Sequence, residues 1–373
     1  MKRIANIVFN PFTNDSRVLK EAISLTSGGY SVSVIAHGDK GLPKEEEVDG
    51  FRVVRFNYLD RSVTKSKAEK LKIYLAWLRD VIGYVKEFDI LHCNDLNTLP
   101  IAFIVKKFYN KNVKVVYDAH EYETERIHQS SIEKKIAKII EKFLLRYIDS
   151  IITVSPSIAD AYVVDYGIKK PTLIYNTPRY IEVEKQDIFR EKFKIPSHHL
   201  IFLYQGGLSA GRGILEFARL IKDKKDVSYV VMGYGVLEEE IRQLSTTQDN
   251  LFFHQSVSPD ILLDYTSSAD IGVCIEENLC KSWDFALPNK MFEYYIAKLP
   301  IIVSGLYEMK KFVKEYDTGY VIEDIFDKDE FDNKFDEIVK RYKDKLPNID
   351  KINQIYNWQE QERVLLRLYK ELY

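Results

Sequence analysis

The chain has 373 residues, 46% hydrophobic and 29% charged, with 54 Lys+Arg against 56 Asp+Glu and a formal charge of −2. That profile excludes a disordered chain, a collagen-like repeat and a disulfide-stapled miniprotein, and the near-neutral balance excludes a global basic field for nucleic acid. The length favours two domains.

Cys93, Cys274 and Cys280 form an odd, sparse set without C-x-x-C. Such a set points to a reducing compartment and away from structural zinc. The start, Met1-Lys2-Arg3-Ile4-Ala5-Asn6, lacks the long apolar stretch and cleavage site of a signal peptide. No window approaches about 18 uninterrupted apolar residues, so no transmembrane helix is expected. A cytoplasmic protein is the expectation. Tyr and Phe are frequent, which reads as core packing or as aromatic surface for sugar or lipid.

Along the chain, strand and helix alternate. Residues 4–9 are an apolar run ended by Asn10-Pro11; Ser16–Ser27 has helical spacing and stops at Gly28-Gly29; 31–36 is the next strand. Residues 53–56 alternate, 65–86 read as a long amphipathic helix, and 89–93 and 113–117 are buried strands with a helix over 99–108 between them. Another amphipathic helix, 132–147, precedes a strand at 150–154. Short continuous apolar strands separated by helices predict a parallel sheet covered on both faces. After a linker near 176–186 the grammar restarts, with strands at 200–204, 227–232, 251–254, 271–274 and 301–304. The fold class is α/β, as two doubly wound Rossmann-like domains in series, the first over 1–178 and the second from 179.

Residues 1–178 carry 27 Lys+Arg against 22 Asp+Glu, and 179–373 carry 27 against 34. Lys65, Lys67, Lys70 and Lys72 cluster on one helix; Lys134, Lys135, Lys138, Lys142 and Arg146 cluster on another, beside Ile132, Ile136, Ile139, Ile140, Phe143 and Leu144. The second helix either buries that apolar face in the core or meets an anionic membrane surface.

In doubly wound sheets ligands bind beyond the carboxyl ends of the strands. The first strand leads into Asn10-Pro11-Phe12-Thr13-Asn14-Asp15-Ser16-Arg17, where Asp15 or Ser16 can cap a helix and Arg17 can hold an anionic group or make a salt bridge. The strand at 113–117 leads into Asp118-Ala119-His120-Glu121. A neutral imidazole there can hydrogen-bond a hydroxyl or take a proton. In the second domain, Gly206-Gly207-Leu208-Ser209-Ala210-Gly211-Arg212-Gly213 allows close backbone approach before a helix start, and Arg212 suits phosphate. It is neither a Walker loop nor an intact G-x-G-x-x-G. Met232-Gly233-Tyr234-Gly235 reads as a tight turn, alone or beside a base or ribose. Pro288-Asn289-Lys290 opens a helix where a diphosphate is welcome, and Glu293 one turn later can accept two ribose hydroxyls.

Together these segments resemble the GT-B-fold glycosyltransferases of the retaining family 4, over nearly the whole chain. The resemblance rests on the Asn14-Asp15-Ser16-Arg17 loop, Asp89-Ile90-Leu91-His92-Cys93-Asn94-Asp95, Asp118-Ala119-His120-Glu121, Gly206 through Gly213, Gly233-Tyr234-Gly235, Leu287-Pro288-Asn289-Lys290 with Glu293, and Gly319-Tyr320-Val321. It implies two domains facing across a cleft, an acceptor-side domain over 1–178, a nucleotide-sugar domain over 179–352, and a C-terminal helix over 353–373 crossing back onto the first. Domain closure would exclude water.

By the same resemblance, Arg212 and Lys290 neutralise a donor diphosphate and Glu293 grips the ribose. Gly206, Gly207, Gly233, Gly235, Pro288 and Asn289 complete the donor site. His120 sits beside the transferred sugar and Asn14, Arg17, Asp95, His120 and Glu121 face the acceptor. Catalysis falls to His120, Glu293, Arg212 and Lys290. Two positions depart from the family pattern: Gly207 stands where Arg is frequent, and Phe285 where an acidic residue is frequent.

The implied activity moves a sugar from a nucleotide-diphosphate-sugar to a hydroxyl of a glycan or lipid-linked acceptor, with retention. Cell-surface polysaccharide or glycoconjugate synthesis is the expected setting. Neither cofactor nor metal is expected, since Asp327-Lys328-Asp329 spells D-x-D only within an acidic run. A peripheral place on the inner membrane face is the alternative localisation, and nucleic acid is not an expected partner. The competing activities are an inactive nucleotide-sugar-binding partner and a nucleotide-sugar 2-epimerase.

Overall fold

The computed structural model describes residues 1–39, 41–59, 66–127 and 129–373, with only the backbone of 57–59. Lys65, which opens the predicted 65–86 helix, lies outside the described residues. The chain divides into two compact units, one made of Met1–Ile174 with Gln361–Tyr373, the other of Tyr175–Glu360.

The first unit is built on eight strands: β1 (Arg3–Val8), β2 (Ser31–Asp39), β3 (Glu45–Val48), β4 (Phe51–Leu59), β5 (Ile90–Asn94), β6 (Lys114–Ala119), β7 (Ser150–Thr153) and β8 (Thr172–Leu173). Its helices are α1 (Ser16–Ser27), α2 (Lys67–Val85), α3 (Leu99–Ile104), α4 (Ser131–Leu144) and α5 (Pro156–Tyr166). The sheet order is β3-β4-β2-β1-β5-β6-β7-β8, so the chain reverses its direction of travel between β1 and β5. All pairs are parallel except β3 with β4.

Helix α1 has the predicted bounds because both ends carry their signals. The Asp15 side chain accepts from Val18 N, and Gly28 N donates to Ser24 O before Gly29 takes φ 88°. The β3–β4 hairpin escapes the sequence reading, since β3 is three glutamates and a valine without an apolar run. Its turn, Asp49-Gly50, has both residues at positive φ (45° and 82°), the geometry of a tight two-residue hairpin.

The predicted helix over 99–108 divides into α3 and a π-helical turn at Val105–Tyr109. Strand β6 runs two residues further than predicted, which puts Asp118 inside the sheet.

The second unit holds β9 (Leu200–Gly207), β10 (Val227–Tyr234), β11 (Leu251–Gln255), β12 (Ile271–Cys274), β13 (Ile301–Ser304) and β14 (Gly319–Ile322). Its helices are α6 (Ile188–Phe193), α7 (Ile214–Ile221), α8 (Glu238–Ser245), α9 (Leu262–Ser267), α10 (Lys281–Asp284), α11 (Asn289–Ile296), α12 (Tyr307–Tyr316), α13 (Lys328–Arg341) and α14 (Leu346–Asn353); α15 (Trp358–Lys370) ends the chain's regular structure. The six strands are all parallel in the order β11-β10-β9-β12-β13-β14, with the switch between β9 and β12. Along β9, Ile201 and Leu203 join one buried apolar cluster while Phe202 and Tyr204 join another. The period of two therefore covers the sheet on both faces. Burying each large side chain contributes about 1.5–3 kcal/mol.

Two sequence expectations, the 232–235 turn and the core-facing 132–147 helix, need correction here, and the Asp327-Lys328-Asp329 run gains a structural account. The 232–235 turn is no turn at its start, since β10 continues to Tyr234. Asp327 serves as the N-cap of α13, its side chain accepting from Glu330 N at 3.0 Å, which accounts for half of the D-x-D run. The core reading of the 132–147 helix fails for most of its apolar face, because Ile132, Ile136, Ile139, Ile140 and Phe143 are exposed and only Leu144 of that set is buried.

Candidate functional site

Each unit gathers a charged cluster at its switch point. In the first unit, Asn94 at the end of β5 stands in register with Asp118 of β6. Asp118 is fully buried and receives both Arg17 Nε at 2.8 Å and Arg17 Nη2 at 2.9 Å. Arg17 Nη1 donates to Ile174 O at 2.9 Å, and Glu21 lies 3.3 Å from Arg17 Nε. His120 Nε2 is 3.1 Å from Asp118 Oδ2 and 3.0 Å from Asn94 Oδ1. Asn94 in turn donates to Asn6 Oδ1 at 2.6 Å and Ile7 O at 2.9 Å. His92 stacks near Tyr369 of α15 and bonds its hydroxyl at 2.6 Å.

Burial opposes the charge on Asp118, but Arg17 and then His120 outweigh it and hold its carboxyl well below the usual range. Burial, with Asp118 alongside, pushes the Glu21 carboxyl well above its usual range, against the opposing pull of Arg17. Burial also lowers His92. For His120, burial is overcome by Asp118 and Asp95, which raise the imidazole to about 10. His120 is thus a charged donor at neutral pH, not the neutral base the sequence suggests. It keeps about 20% of its side chain exposed.

Asp95 lies 3.8 Å from His120 Nδ1 and adopts φ 62°, left-handed territory that a non-glycine residue enters at a cost of order 1–3 kcal/mol. Arg126 ties the rim together, reaching Glu123 at 2.7 Å, Glu121 at 3.0 Å and Asp95 at 3.6 Å.

In the second unit the cluster is built on one carboxylate. Glu276, just past β12 and 2% exposed, pairs with Arg212 through Oε1 and lies 3.3 Å from Lys290 Nζ through the same atom. The Arg212 guanidinium sits 4.6 Å from the Trp283 ring, and Lys290 Nζ 4.5 Å from that of Tyr204. Burial opposes the Lys290 charge, yet Cys274, Glu276 and Tyr204 raise its pKa. Arg212 precedes Gly213, the N-cap position of α7, and Lys290 is the second residue of α11 after Pro288 and Asn289. No side chain among the described residues caps either start, which leaves backbone N–H groups facing the two cations' neighbourhood.

Beside them Gln205 Nε2 donates to Glu293 Oε2 at 2.6 Å, while Thr266 Oγ1 donates to Gln205 Oε1 at 2.8 Å. The Glu293 carboxylate is thereby aimed rather than left to rotate. Gly206 and Gly207 are exposed at the end of β9. A Cβ on Gly233 would fall on the carbonyl oxygen of Gly206, and one on Gly235, at φ 154°, on that of Leu208. Those two glycines let β10 pass close beneath the 206–208 backbone.

Most of the sequence-selected residues fall into one or other cluster. Arg17 is 3% exposed and its donors are committed to Asp118 and Ile174 O. Asn14 stays exposed in the loop before α1. Phe285 packs 6.1 Å from the Tyr307 ring. Sequence reasoning passed over Asn94, Asp118, Gln205, Arg126 and Glu276 as site residues. A signal existed for Glu276, a carboxylate two residues beyond a buried apolar strand, and for Asn94 and Asp118, polar residues at the ends of such strands.

No curated protein matches the chain. Family models match both halves: Glycosyltransferase Family 4 over residues 17–177 and Glycosyl transferases group 1 over residues 185–353. Among solved structures, a sucrose-phosphate synthase from Thermosynechococcus elongatus is similar at TM-score 0.80 and 15% identity, covering 100% of this chain and 99% of that one. HepE from Anabaena, solved in complex with UDP and glucose, is similar at TM-score 0.74 and 14% identity, with 100% of each chain covered. A trehalose-6-phosphate protein from E. coli bound with UDP-2-fluoro glucose gives TM-score 0.70 at 11% identity, covering 100% of this chain and 99% of that one. With two parallel-sheet Rossmann-like units and a family model on each half, this chain belongs to the family 4, group 1 glycosyltransferases of the GT-B fold.

Proposed function

We propose that this glycosyltransferase takes its sugar from a nucleotide-diphosphate-sugar and passes it, with retention, to a hydroxyl of a glycan or lipid-linked acceptor. The observation that carries this reading is the convergence of Arg212 and Lys290 on one oxygen of Glu276. Glu276 holds the two cations in place before any substrate arrives. A pyrophosphate entering beside them meets charge already positioned, together with the amides at the starts of α7 and α11.

As the bond to the sugar breaks, negative charge grows on the leaving diphosphate. Arg212 and Lys290 stabilise it more in the transition state than in the ground state, which is what accelerates the step. The Glu293 carboxylate, oriented by Gln205, accepts the two ribose hydroxyls. His120, charged and held by Asp118 and Asn94, is the first unit's hydrogen-bond donor for a sugar hydroxyl. The buried Glu21 and Arg17 serve that imidazole by fixing Asp118.

Two similar structures were solved with uridine nucleotides, so UDP-sugars are the first donors to test. A thermal-shift screen of UDP-, GDP- and ADP-sugars is the direct experiment, since a ligand that binds only the folded state raises the melting temperature. One nucleotide series should stabilise the parent protein and lose its effect in Arg212→Ala and Lys290→Ala. Stabilisation that survives both substitutions puts the diphosphate elsewhere. Transfer to supplied glycan acceptors separates a transferase from a binding partner that no longer reacts. Synthesis of cell-surface polysaccharide or glycoconjugate from cytoplasmic donor is the setting we assign.

A further inference from the structure

Helix α4 is mounted inside out. The side it turns toward its own unit is polar. Glu141, fully buried, accepts from Tyr117 and Tyr162 at 2.6 Å and from Tyr166 at 2.5 Å. Lys134 and Lys138 pair with Glu125 at 2.8 and 3.2 Å, and Lys138 also reaches Asp165 at 3.0 Å. Within the helix, only Glu141 and Leu144 are buried.

The opposite side is apolar. Ile132, Ile136, Ile139, Ile140 and Phe143 stand 43–71% exposed. At about 100° per residue these five share one face, turned away from Glu141. The apolar surface continues: the Phe143 ring is 5.3 Å from Phe103, whose ring is 6.3 Å from that of exposed Phe108 on the Val105–Tyr109 turn. Lys135, Lys142 and Arg146 are exposed along one flank of the stripe.

An apolar face of this size, rimmed on one side by cations, is a binding surface rather than ordinary scatter. We infer that α4 and the 105–109 turn dock on an anionic lipid bilayer, with the isoleucines and phenylalanines entering the headgroup–acyl boundary and the basic flank meeting lipid phosphates. The charge pattern selects this occupant. In an antiparallel two-fold pairing of this face with a second copy, Lys135, Lys142 and Arg146 would face like charges; against anionic lipid they are matched. The ring of polar bonds around Glu141, Lys134 and Lys138, with Leu144 buried beside it, gives the helix a fixed seat that needs none of the five exposed apolar residues.

Co-sedimentation of the full chain with phosphatidylglycerol and phosphatidylcholine vesicles tests this. The parent protein should bind phosphatidylglycerol vesicles, bind phosphatidylcholine vesicles more weakly, and lose affinity as salt rises. The variant Ile136→Ser/Ile139→Ser/Phe143→Ser should fold, since it alters exposed positions, and lose vesicle binding. Neutralising Lys135, Lys142 and Arg146 one at a time with Gln should weaken phosphatidylglycerol binding about fivefold each, the equivalent of ~1 kcal/mol. The proposal is overturned by serine-variant binding equal to the parent, by equal affinity for the two lipids, or by a dimer that the serine substitutions dissolve while the parent ignores both vesicles.

Discussion

Lys290 Nζ lies 3.3 Å from Glu276 Oε1, the same oxygen that Arg212 takes. One buried carboxylate therefore partly neutralises two cations drawn from segments that begin different helices, and leaves the pair with a net positive charge.

That sharing sets the first expectation. Lys290→Met keeps the Arg212–Glu276 pair and the fold, but removes one donor to a diphosphate. A hydrogen bond to a charged group contributes about 1.5–3 kcal/mol, so nucleoside diphosphate affinity should fall roughly 10- to 100-fold. Affinity for the bare nucleoside should hold. Calorimetric titration of both ligands checks this, and an unchanged diphosphate constant removes Lys290 from the site.

The first-unit cluster predicts two opposed pH arms. His120, raised from 6.5 to about 10 in the fold, contributes stability that is complete below pH 6.5 and disappears as pH climbs toward about 10. Asp118, lowered below its ordinary 3.8, contributes above that value and loses its effect as acid protonates the folded form. In His120→Gln the alkaline fall in melting temperature should be shallower than in the parent. Parallel curves for the two proteins would show that His120 carries no such charge.

Two glycines should answer substitution in opposite ways. Gly233→Ala drives a methyl into the Gly206 carbonyl and should destabilise by about 1–3 kcal/mol. Gly207 has no atom within 4 Å of where its Cβ would sit. Gly207→Arg should therefore change stability by only about 0.5 kcal/mol or less. Urea unfolding of both variants measures the contrast, and a severe loss in Gly207→Arg would contradict the open space seen there.

Glu141 anchors α4 through three phenols. Burial raises its carboxyl against the pull of those donors, and removing it leaves three buried phenols without their acceptor. Glu141→Leu should lower stability by roughly 3–9 kcal/mol, because three buried hydroxyls lose their acceptor at about 1–3 kcal/mol each. Glu141→Gln, which retains one acceptor oxygen, should cost less. Equal stability of the Leu variant and the parent, by equilibrium urea titration, would refute the anchor.

Much of this molecule was legible in order along the chain. The buried strands β1, β5, β9, β12 and β13 announce themselves as short apolar runs, and α1 carries a capping carboxylate and a glycine stop at the predicted places. The start of α11 was legible because Pro288, Asn289 and Lys290 mark it. The β3–β4 hairpin was not, since a run of glutamates shows its pairing only through the neighbouring strand. Nor was the orientation of α4. Its apolar stripe was plain, but a stripe does not say which way it faces. That was settled by Glu141 finding three tyrosines from β6 and α5.

The sequence by itself determined the alternation of buried strands and helices, the two-sheet α/β class and the positions of helix starts such as those of α1 and α11. These follow from periodicity and capping, which act over a few residues. Only the tertiary structure decided which charges share partners. Arg17 meets Asp118 across 101 positions of chain, and Arg212 meets Glu276 across 64. Parallel strand order brings such distant strand ends side by side, and burial there removes the water that would otherwise screen their charges, so each group's role depends on neighbours that local sequence does not name.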